Sequence, residues 1–273
     1  MTAVGTRPGS AAAIDAAREQ GRAALVGYLP VGFPDVPRSV DAVRAMVDGG
    51  VDVVELGMPY SDPLMDGPVI QHAVDVALRG GTRTRDLLHA VEAVAATGTP
   101  VLVMTYWNLV DRYGTARFAA DLASAGGAGL ITPDLIPDEA GEWITASDAT
   151  GLERVFLVAP SSTPERLRST AAACRGWIYA ASTMGVTGIR TQVGPAARDL
   201  VDRTRAAGAE RVCVGLGVST REQAAEVAGF ADGVIVGTAF VRALTEAADA
   251  ASGLRAVAAL AGSLAAGVRE GDR

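Results

Sequence analysis

Residues 51–68 decide the fold, and they read VDVVELGMPYSDPLMDGP. A run of β-branched residues ends in Glu55, which predicts a buried strand that carries this carboxylate to the edge of a sheet. Three prolines and Gly67 predict a loop after the strand, and this loop presents Asp62 and Asp66. Two carboxylates in different environments can act as a proton carrier and a charge stabiliser, because burial raises one pKa and polar contacts lower the other. The alternative is that Glu55 forms a structural ion pair with an arginine and that the loop has no chemical role.

Short apolar strands alternate with helical segments along the rest of the chain. The predicted strands lie, in chain order, at residues 23–28, 51–55, 101–105, 129–132, 154–158, 177–180, 212–214 and 234–236. Apolar residues at helical spacing predict helices between them, and the last outer helix is predicted around Leu254, Val257, Leu260 and Leu264.

This alternation predicts an α/β fold, a closed (β/α)8 barrel. We expect a single domain over residues 1–273, with residues 1–10 disordered and an extra helix at residues 11–22. An open doubly wound sheet is the competing fold. It is disfavoured because no GxGxxG motif follows the first predicted strand.

Cap residues predict where several helices begin. Asp35, Thr84 and Thr163 each precede a helical apolar pattern, and a capping box is predicted at residues 219–222. Residues 69–78 predict only one or two helical turns.

The composition of the chain limits its function classes. The formal net charge is −7, and an acidic surface argues against binding to nucleic acid or to an anionic membrane. All basic residues are arginines, so Schiff-base catalysis, a pyridoxal phosphate anchor and a Walker-type P-loop are excluded, since each needs a lysine amine. We therefore expect a small-molecule or protein partner.

The cysteine and histidine content argues against a zinc site. Cys174 and Cys213 are far apart without a CxxC pattern, and the histidines are His72 and His89. We expect reduced thiols, solvated histidines, no metal and no cofactor. The first residues lack the apolar core of a signal peptide, and no run approaches the roughly eighteen apolar residues of a membrane span, so we expect a cytoplasmic protein.

Polar residues cluster at the predicted strand ends. The active site of a (β/α)8 barrel lies at the carboxyl ends of its strands, so four side chains are expected at one mouth. These are Tyr28, Glu55, Asp66 and Tyr179. Residues 182–195 are too long for an ordinary strand-to-helix loop and predict a mobile lid.

Small residues follow the last three predicted strands. Backbone N–H groups and a helix N-terminus can hold a phosphate without any lysine, although each glycine alone is also typical of a turn. The predicted phosphate site consists of Gly188, Gly217, Gly237 and Thr238.

An apolar wall for a flat ligand is predicted on the opposite side of the mouth. It consists of Tyr28, Leu64, Ile131, Leu157 and Leu216. Ordinary core packing is the alternative for each of these residues.

Three motifs carry a resemblance to a known family. They are VELGMPYSDPLMDGP at residues 54–68, YxxSxxGVTG at residues 179–188 and GLGVS at residues 215–219. They closely resemble the tryptophan synthase α subunit, over about residue 20 to the C-terminal helix, and the first motif is highly specific to that family. The resemblance implies a TIM barrel that cleaves indole-3-glycerol phosphate to indole and glyceraldehyde 3-phosphate. It also implies a β subunit that receives the indole, in an α2β2 heterotetramer.

The resemblance implies roles for individual residues as well. Glu55 matches the general acid/base of the family, and Asp66 matches the carboxylate that faces the indole nitrogen. Tyr179 matches a residue that forms a hydrogen bond near the reacting atoms, and Thr187 lies in the lid. The family's phosphate site matches Gly188, Gly217, Gly237 and Thr238.

The implied chemistry agrees with the composition. A retro-aldol cleavage needs an electron sink, and without a lysine imine or a metal the substrate must supply one when its indole C3 is protonated. Glu55 can deliver this proton and take one from the glycerol hydroxyl, and Asp66 can stabilise the cation at the ring N–H.

Three positions depart from the family pattern. Members often have Asp where this chain has Phe33, Ser where it has Thr238 and Arg where it has Thr183, and the last difference affects how the lid closes. A free-standing lyase with the same catalytic residues is one alternative function. A catalytically idle barrel that activates a β partner is another, and the intact pair of Glu55 and Asp66 argues against it.

Overall fold

The computed structural model describes residues 9–181, 195–215 and 217–271. The strands are β1 (Ala24–Pro30), β2 (Val53–Gly57), β3 (Val101–Met104), β4 (Gly129–Thr132), β5 (Glu153–Val158), β6 (Ile178–Ala181), β7 (Val212–Gly215) and β8 (Gly233–Val236). The helices are α1 (Ser10–Glu19), α2 (Val36–Asp48), α3 (Pro68–Arg79), α4 (Thr84–Ala95), α5 (Trp107–Tyr113), α6 (Thr115–Ser124), α7 (Gly141–Thr150), α8 (Pro164–Ala173), α9 (Pro195–Ala206), α10 (Arg221–Ala228), α11 (Thr238–Thr245) and α12 (Ala250–Gly267), with a 3₁₀ helix at Pro137–Glu139.

The eight strands form one closed parallel sheet. Each strand pairs with the next in chain order, and β8 pairs with β1. The register places Tyr28 of β1 beside Glu55 of β2. The predicted (β/α)8 barrel is therefore confirmed, and the open doubly wound sheet is wrong.

The barrel interior is filled by alternate residues of the strands. This cluster contains Ala24, Val26, Val53, Leu102, Ile131, Val155, Trp177, Cys213 and Ile235. Ile14 and Ala17 of α1 belong to the same cluster and are fully buried. Since Asp15 also pairs with Arg211, which directly precedes β7, α1 closes the amino-terminal end of the barrel.

The predicted helix caps are partly correct. The side chain of Asp35 accepts a hydrogen bond from the Arg38 amide at 2.9 Å, and Thr163 accepts one from the Arg166 amide at 3.3 Å. Both caps are confirmed. Satisfying the first N–H groups of a helix in this way fixes where α2 and α8 begin.

Two other caps are wrong by one residue. Helix α4 is capped at Arg83, so Thr84 is its first residue. Helix α10 is capped at Thr220 rather than Ser219, because the Ser219 backbone and hydroxyl instead bond the Gln223 side chain. Adjacent hydroxyl residues compete for the same cap position, and the local sequence does not decide between them.

The extent of two helices differs from the prediction. Helix α3 is twelve residues long rather than one or two turns, and it begins with Pro68 at its first position. Helix α5 is not predicted at all. Its first amide, on Trp107, donates to both carboxylate oxygens of Asp134 at 2.9 and 3.1 Å, so its cap comes from a distant loop.

Helix α12 is the predicted last outer helix. Its residues Val257 and Leu264 are fully buried, and the helix packs against α2, α10 and α11. Among the described residues it is also the one helix long and apolar enough to cross a membrane, by length and composition only. It does not contradict the expectation that no run of roughly eighteen apolar residues occurs, because Ser252, Arg255 and Ser263 interrupt the apolar residues of α12.

Candidate active site

Glu55 lies inside the barrel, and no described residue forms an ion pair with it. It is the third residue of β2 and is 1% exposed, and neither carboxylate oxygen has a hydrogen-bond partner among the described residues. Burial disfavours the charged form and raises the pKa of Glu55 to about 8. Within the described part of the chain, the alternative of a structural ion pair is wrong.

Asp66 stands at the end of the loop that follows β2. The side chain is half-buried, and burial raises the pKa of Asp66 to about 6. The side-chain amide of Gln71 donates to the backbone carbonyl of Asp66 at 2.7 Å, which ties the loop to α3. Asp62 is exposed and accepts a hydrogen bond from Ser61, so the two loop acids have different environments.

Tyr28 lies beside both acids. It is buried at the end of β1, and a Cβ atom at Gly57 would clash with its ring and hydroxyl. Burial, followed by the negative charges of Asp66 and Glu55, raises the pKa of Tyr28 well above its usual value. A glycine at position 57 therefore makes room for this phenol at the mouth.

Tyr179 occupies the equivalent place on β6. Its ring stacks on Trp177 with centroids 6.0 Å apart, and a Cβ atom at Gly215 would clash with its hydroxyl end. Burial, followed by the charge of Glu55, raises the pKa of Tyr179 well above its usual value. The structure thus brings Tyr28, Glu55, Asp66 and Tyr179 together, as the strand-end rule predicts.

Tyr106 is a site residue that the sequence analysis missed. Its hydroxyl oxygen accepts hydrogen bonds from the backbone amides of Leu64 and Met65, at 3.0 Å each, and its ring lies 5.1 Å from that of Tyr60. It therefore holds the loop immediately before Asp66. The sequence signal that could have identified it is its position as an aromatic residue just after β3, at the end of the barrel where the other site residues lie.

The predicted phosphate residues follow β7 and β8. Gly217 has a φ of +71°, a conformation that favours glycine. Gly237 precedes α11, whose first residue is the buried Thr238, and no described side chain caps this helix. The first N–H groups of α11 therefore have no capping side chain among the described residues, which leaves them open to an outside acceptor.

Several predicted residues lie outside the described part of the chain. They are Thr183, Thr187 and Gly188 of the predicted lid, and Leu216 of the predicted wall. The described wall residues differ in exposure: Ile131 is fully buried, Leu157 is half-buried and the Leu64 side chain is 71% exposed. The contact of Leu64 with the site is through its backbone rather than its side chain.

Neither histidine belongs to the site. His89 is exposed on α4, and His72 is exposed on α3 with its ring edge toward Phe33 at 6.4 Å. The prediction that both are solvated surface residues is confirmed.

Comparison of the sequence with known proteins identifies similar proteins over most of the chain. The model described as tryptophan synthase alpha chain matches residues 14–269. A protein named tryptophan synthase alpha chain from Thermobifida fusca (strain YX) is 59% identical over 260 residues, which cover 94% of this chain and 96% of that protein. One of the same name from Mycobacterium avium (strain 104) is 60% identical over 256 residues, which cover 94% and 93%.

Solved structures are similar over nearly the whole chain. The structure of Mycobacterium tuberculosis tryptophan synthase superposes with a TM-score of 0.90 at 58% identity, covering 95% of this chain and 98% of that chain. The tryptophan synthase subunit alpha from Legionella pneumophila str. Paris superposes with a TM-score of 0.87 at 31% identity, covering 96% and 98%.

Proposed function

The chain belongs to the tryptophan synthase alpha chain family, a family of lyases in tryptophan biosynthesis, and on that premise we propose the chemical roles of its residues. The reaction is the cleavage of indole-3-glycerol phosphate to indole and glyceraldehyde 3-phosphate. Its general acid and base is Glu55. The observation that carries this proposal is a carboxyl group buried at the barrel mouth with neither oxygen paired among the described residues.

Burial gives the two acids different charges near neutral pH. With a pKa raised to about 8, Glu55 is mostly protonated at pH 7 and can donate a proton. With a pKa raised to only about 6, Asp66 is mostly ionised at the same pH. One acid and one anion therefore occupy the same mouth, as general acid catalysis with charge stabilisation requires.

The cleavage begins at C3 of the indole. Glu55 transfers its proton to C3, which makes the ring an indoleninium cation with a positive charge shared by the ring N–H. The carboxylate of Asp66 stabilises that charge, since a fixed anion in a water-poor site interacts strongly with it. The substrate thereby becomes its own electron sink.

Bond breaking then regenerates the acid. The carboxylate of Glu55 takes the proton of the hydroxyl on the carbon attached to C3. The electron pair of the C–C bond moves into the indoleninium ring, and the hydroxyl carbon becomes the aldehyde of glyceraldehyde 3-phosphate. Indole leaves neutral, and Glu55 ends the cycle protonated as it began.

The remaining site residues position the substrate. The phenol of Tyr179 lies close enough to Glu55 for the charge of Glu55 to raise the pKa of Tyr179. Its hydroxyl can therefore orient the reacting hydroxyl of the substrate by a hydrogen bond. The phosphate binds at the N–H groups of Gly237 and Thr238 and beside Gly217. From the family resemblance we also assign Thr187 and Gly188, which lie outside the described residues, to substrate binding.

The partner of this family is the β subunit. The exposed large hydrophobic residues in the described part of the chain are Leu64 and Ile136, and both lie in loops that follow strands, on the mouth side of the barrel. An apolar surface at the mouth supports docking of a partner that receives the indole. We place the chain in the cytoplasm, in an α2β2 heterotetramer.

The test is indole release by the purified chain, with and without its β subunit. We expect cleavage of indole-3-glycerol phosphate that increases when the β subunit is added, and no cleavage by Glu55→Gln under either condition. Full activity alone, with no response to a β subunit that binds, would favour a free-standing lyase. No indole release by wild-type protein in the complex would contradict the proposed reaction.

A further inference from the structure

A buried chain of hydrogen bonds connects α1 with the barrel interior. The indole Nε1–H of Trp177 donates to Ser10 Oγ at 2.9 Å, and the Ser10 hydroxyl donates to the Glu153 carboxylate. Ser10 is fully buried and Trp177 is 1% exposed. Each polar group therefore depends on its protein partner, because an unpaired N–H or hydroxyl at these positions has no access to water.

Glu153 fixes the first turn of α1. Besides the hydroxyl, its carboxylate accepts hydrogen bonds from the backbone amides of Ser10 and Ala11, at 3.1 Å each. Helix α1 has no acidic residue in its own first turn and no side-chain cap at Gly9. The carboxylate from β5 takes over that function, since a negative charge is favoured at a helix N-terminus. The position of Ser10 relative to the barrel is thus determined.

The other side of Trp177 supports the active site. Its ring is stacked with that of Tyr179 at an interplanar angle of 28°. The far end of the phenol is bounded by Gly215, where even a Cβ atom would clash. A rotation of the Trp177 indole would therefore displace the phenol that lies beside Glu55.

A second buried tryptophan shows that the hydrogen bond does more than permit burial. Trp143 on α7 is fully buried, and its indole N–H has no partner in the described part of the chain. The described residues thus bury one indole in this protein without a hydrogen bond to its N–H group. The bond from Trp177 to Ser10 therefore adds orientation, because it fixes which edge of the ring faces α1.

We propose that Trp177 is a positioning residue for Tyr179, and that α1 holds Trp177 through Ser10. The helix that closes the amino-terminal end of the barrel thereby contributes to the reaction at the opposite end. This inference rests on the proposed lyase function, because the readout is the rate of that reaction.

The experiment removes the hydrogen bond between Trp177 and Ser10, once by deleting the acceptor and once by deleting the donor. Ser10→Ala deletes the acceptor, and Trp177→Phe deletes the donor while it keeps an aromatic ring against Tyr179. We expect kcat to fall roughly fivefold to tenfold in each variant, with KM changed by less than about twofold, because the substrate still binds but the phenol is misplaced. The double variant should be no slower than the slower single variant, since both changes break the same bond.

Asp15→Asn is the matched control. It weakens the ion pair of Asp15 with Arg211, at 2.6 Å, which also anchors α1 but does not involve Trp177. We expect a lower Tm and an unchanged kcat. In a Tyr179→Phe background, Ser10→Ala should cause no further loss of kcat, because the positioned hydroxyl is already absent.

Several outcomes would overturn the proposal. Wild-type kcat and KM in a folded Ser10→Ala protein would do so, whether or not Trp177→Phe folds. An equal loss of kcat in Asp15→Asn would show that α1 has only a structural role. A full additional loss from Ser10→Ala in the Tyr179→Phe background would exclude a route through Tyr179. A wild-type chain that releases no indole would instead contradict the proposed function itself.

Discussion

Carboxylates occur at both ends of the barrel, and their surroundings are opposite. At the amino-terminal end, Asp52 accepts hydrogen bonds from two nitrogens of Arg22, at 2.7 and 2.8 Å, and from the Leu25 amide at 2.8 Å. Further along β2, toward the mouth, Glu55 has no partner among the described residues. In this short stretch, Asp52 stabilises the fold through its hydrogen bonds. Glu55 lies where burial disfavours its charged form, and we assign the chemistry to this uncompensated acid.

The pKa values follow the same division. A hydrogen bond from Arg211 lowers the pKa of Asp15, so this acid is charged and paired at the amino-terminal end. Burial raises the pKa of Glu55 and of Asp66 at the mouth, where no described arginine pairs with either acid. The paired Asp15 and Asp52 thus lie at the amino-terminal end, and the two acids to which we assign the chemistry lie at the mouth.

The largest expected effect is the loss of catalysis in Glu55→Gln. We expect kcat to fall about a thousandfold, because the amide keeps the shape of the side chain but cannot exchange a proton. The matched variant Asp52→Asn should keep a kcat close to wild type, since it affects only the structural end. Indole release at saturating substrate measures both, and an equal loss in the two variants would contradict the division between the ends.

The same two variants should have opposite effects on stability. Folded Glu55 keeps its proton up to about pH 8, whereas an unfolded chain releases it near 4.5, so folding becomes less favourable as pH rises through this interval. Glu55→Gln should therefore increase the free energy of unfolding by roughly 3 kcal/mol at pH 8, and by much less at pH 5. Asp52→Asn should decrease it by roughly 2 kcal/mol, because it leaves Arg22 without its charged partner.

Urea unfolding at the two pH values is the measurement for this stability prediction. The Asp52→Asn variant is the control, because it shows whether neutralising any acid increases the free energy of unfolding. Equal destabilisation by both substitutions at pH 8 would mean that Glu55 has a stabilising partner and is not the uncompensated acid described here.

Asp66→Asn tests the second acid at the mouth. We expect kcat to fall roughly a hundredfold, because a neutral amide does not stabilise the indoleninium charge. Steady-state kinetics separates kcat from KM in this variant. A rise in KM with wild-type kcat would make Asp66 a binding residue and would require another stabiliser for the cation.

Tyr106→Phe should have the smallest effect of the substitutions at the mouth. Without the hydroxyl, the amides of Leu64 and Met65 lose their acceptor and the loop before Asp66 becomes less well fixed. We expect kcat/KM to fall roughly tenfold. Tyr113→Phe is the matched control, since that hydroxyl bonds Asp121 on the outside of the barrel, and an equal loss there would argue against a specific role for Tyr106.

The sequence predicted the barrel and its acids for clear physical reasons. Short apolar strands alternating with amphipathic helices produce a closed parallel sheet, and a carboxylate at the end of such a strand must lie at its mouth. Glu55, Asp66 and Tyr179 follow from that rule. The local caps at Asp35 and Thr163 were also predictable, because each involves residues close together in the chain.

What the sequence did not predict depends on contacts between distant residues. Tyr106 holds a loop 41 and 42 residues earlier in the chain, and Asp134 caps α5 from another loop. The exposure of Leu64 depends on the loop conformation rather than on its apolar side chain. Tertiary hydrogen bonds leave no periodic signal, so hydrophobic patterns locate the elements but not these supports.

The protonation state of Glu55 distinguishes the two ends of the barrel most directly. Infrared difference spectra of wild type minus Glu55→Gln, recorded from about pH 5 to about pH 10, report this one carboxyl group. We expect a protonated carboxyl band at pH 7 that disappears with an apparent pKa of about 8. A carboxylate that is already ionised at pH 6, with a pKa near the ordinary value of 4.5, would contradict the assignment of Glu55 as the buried general acid.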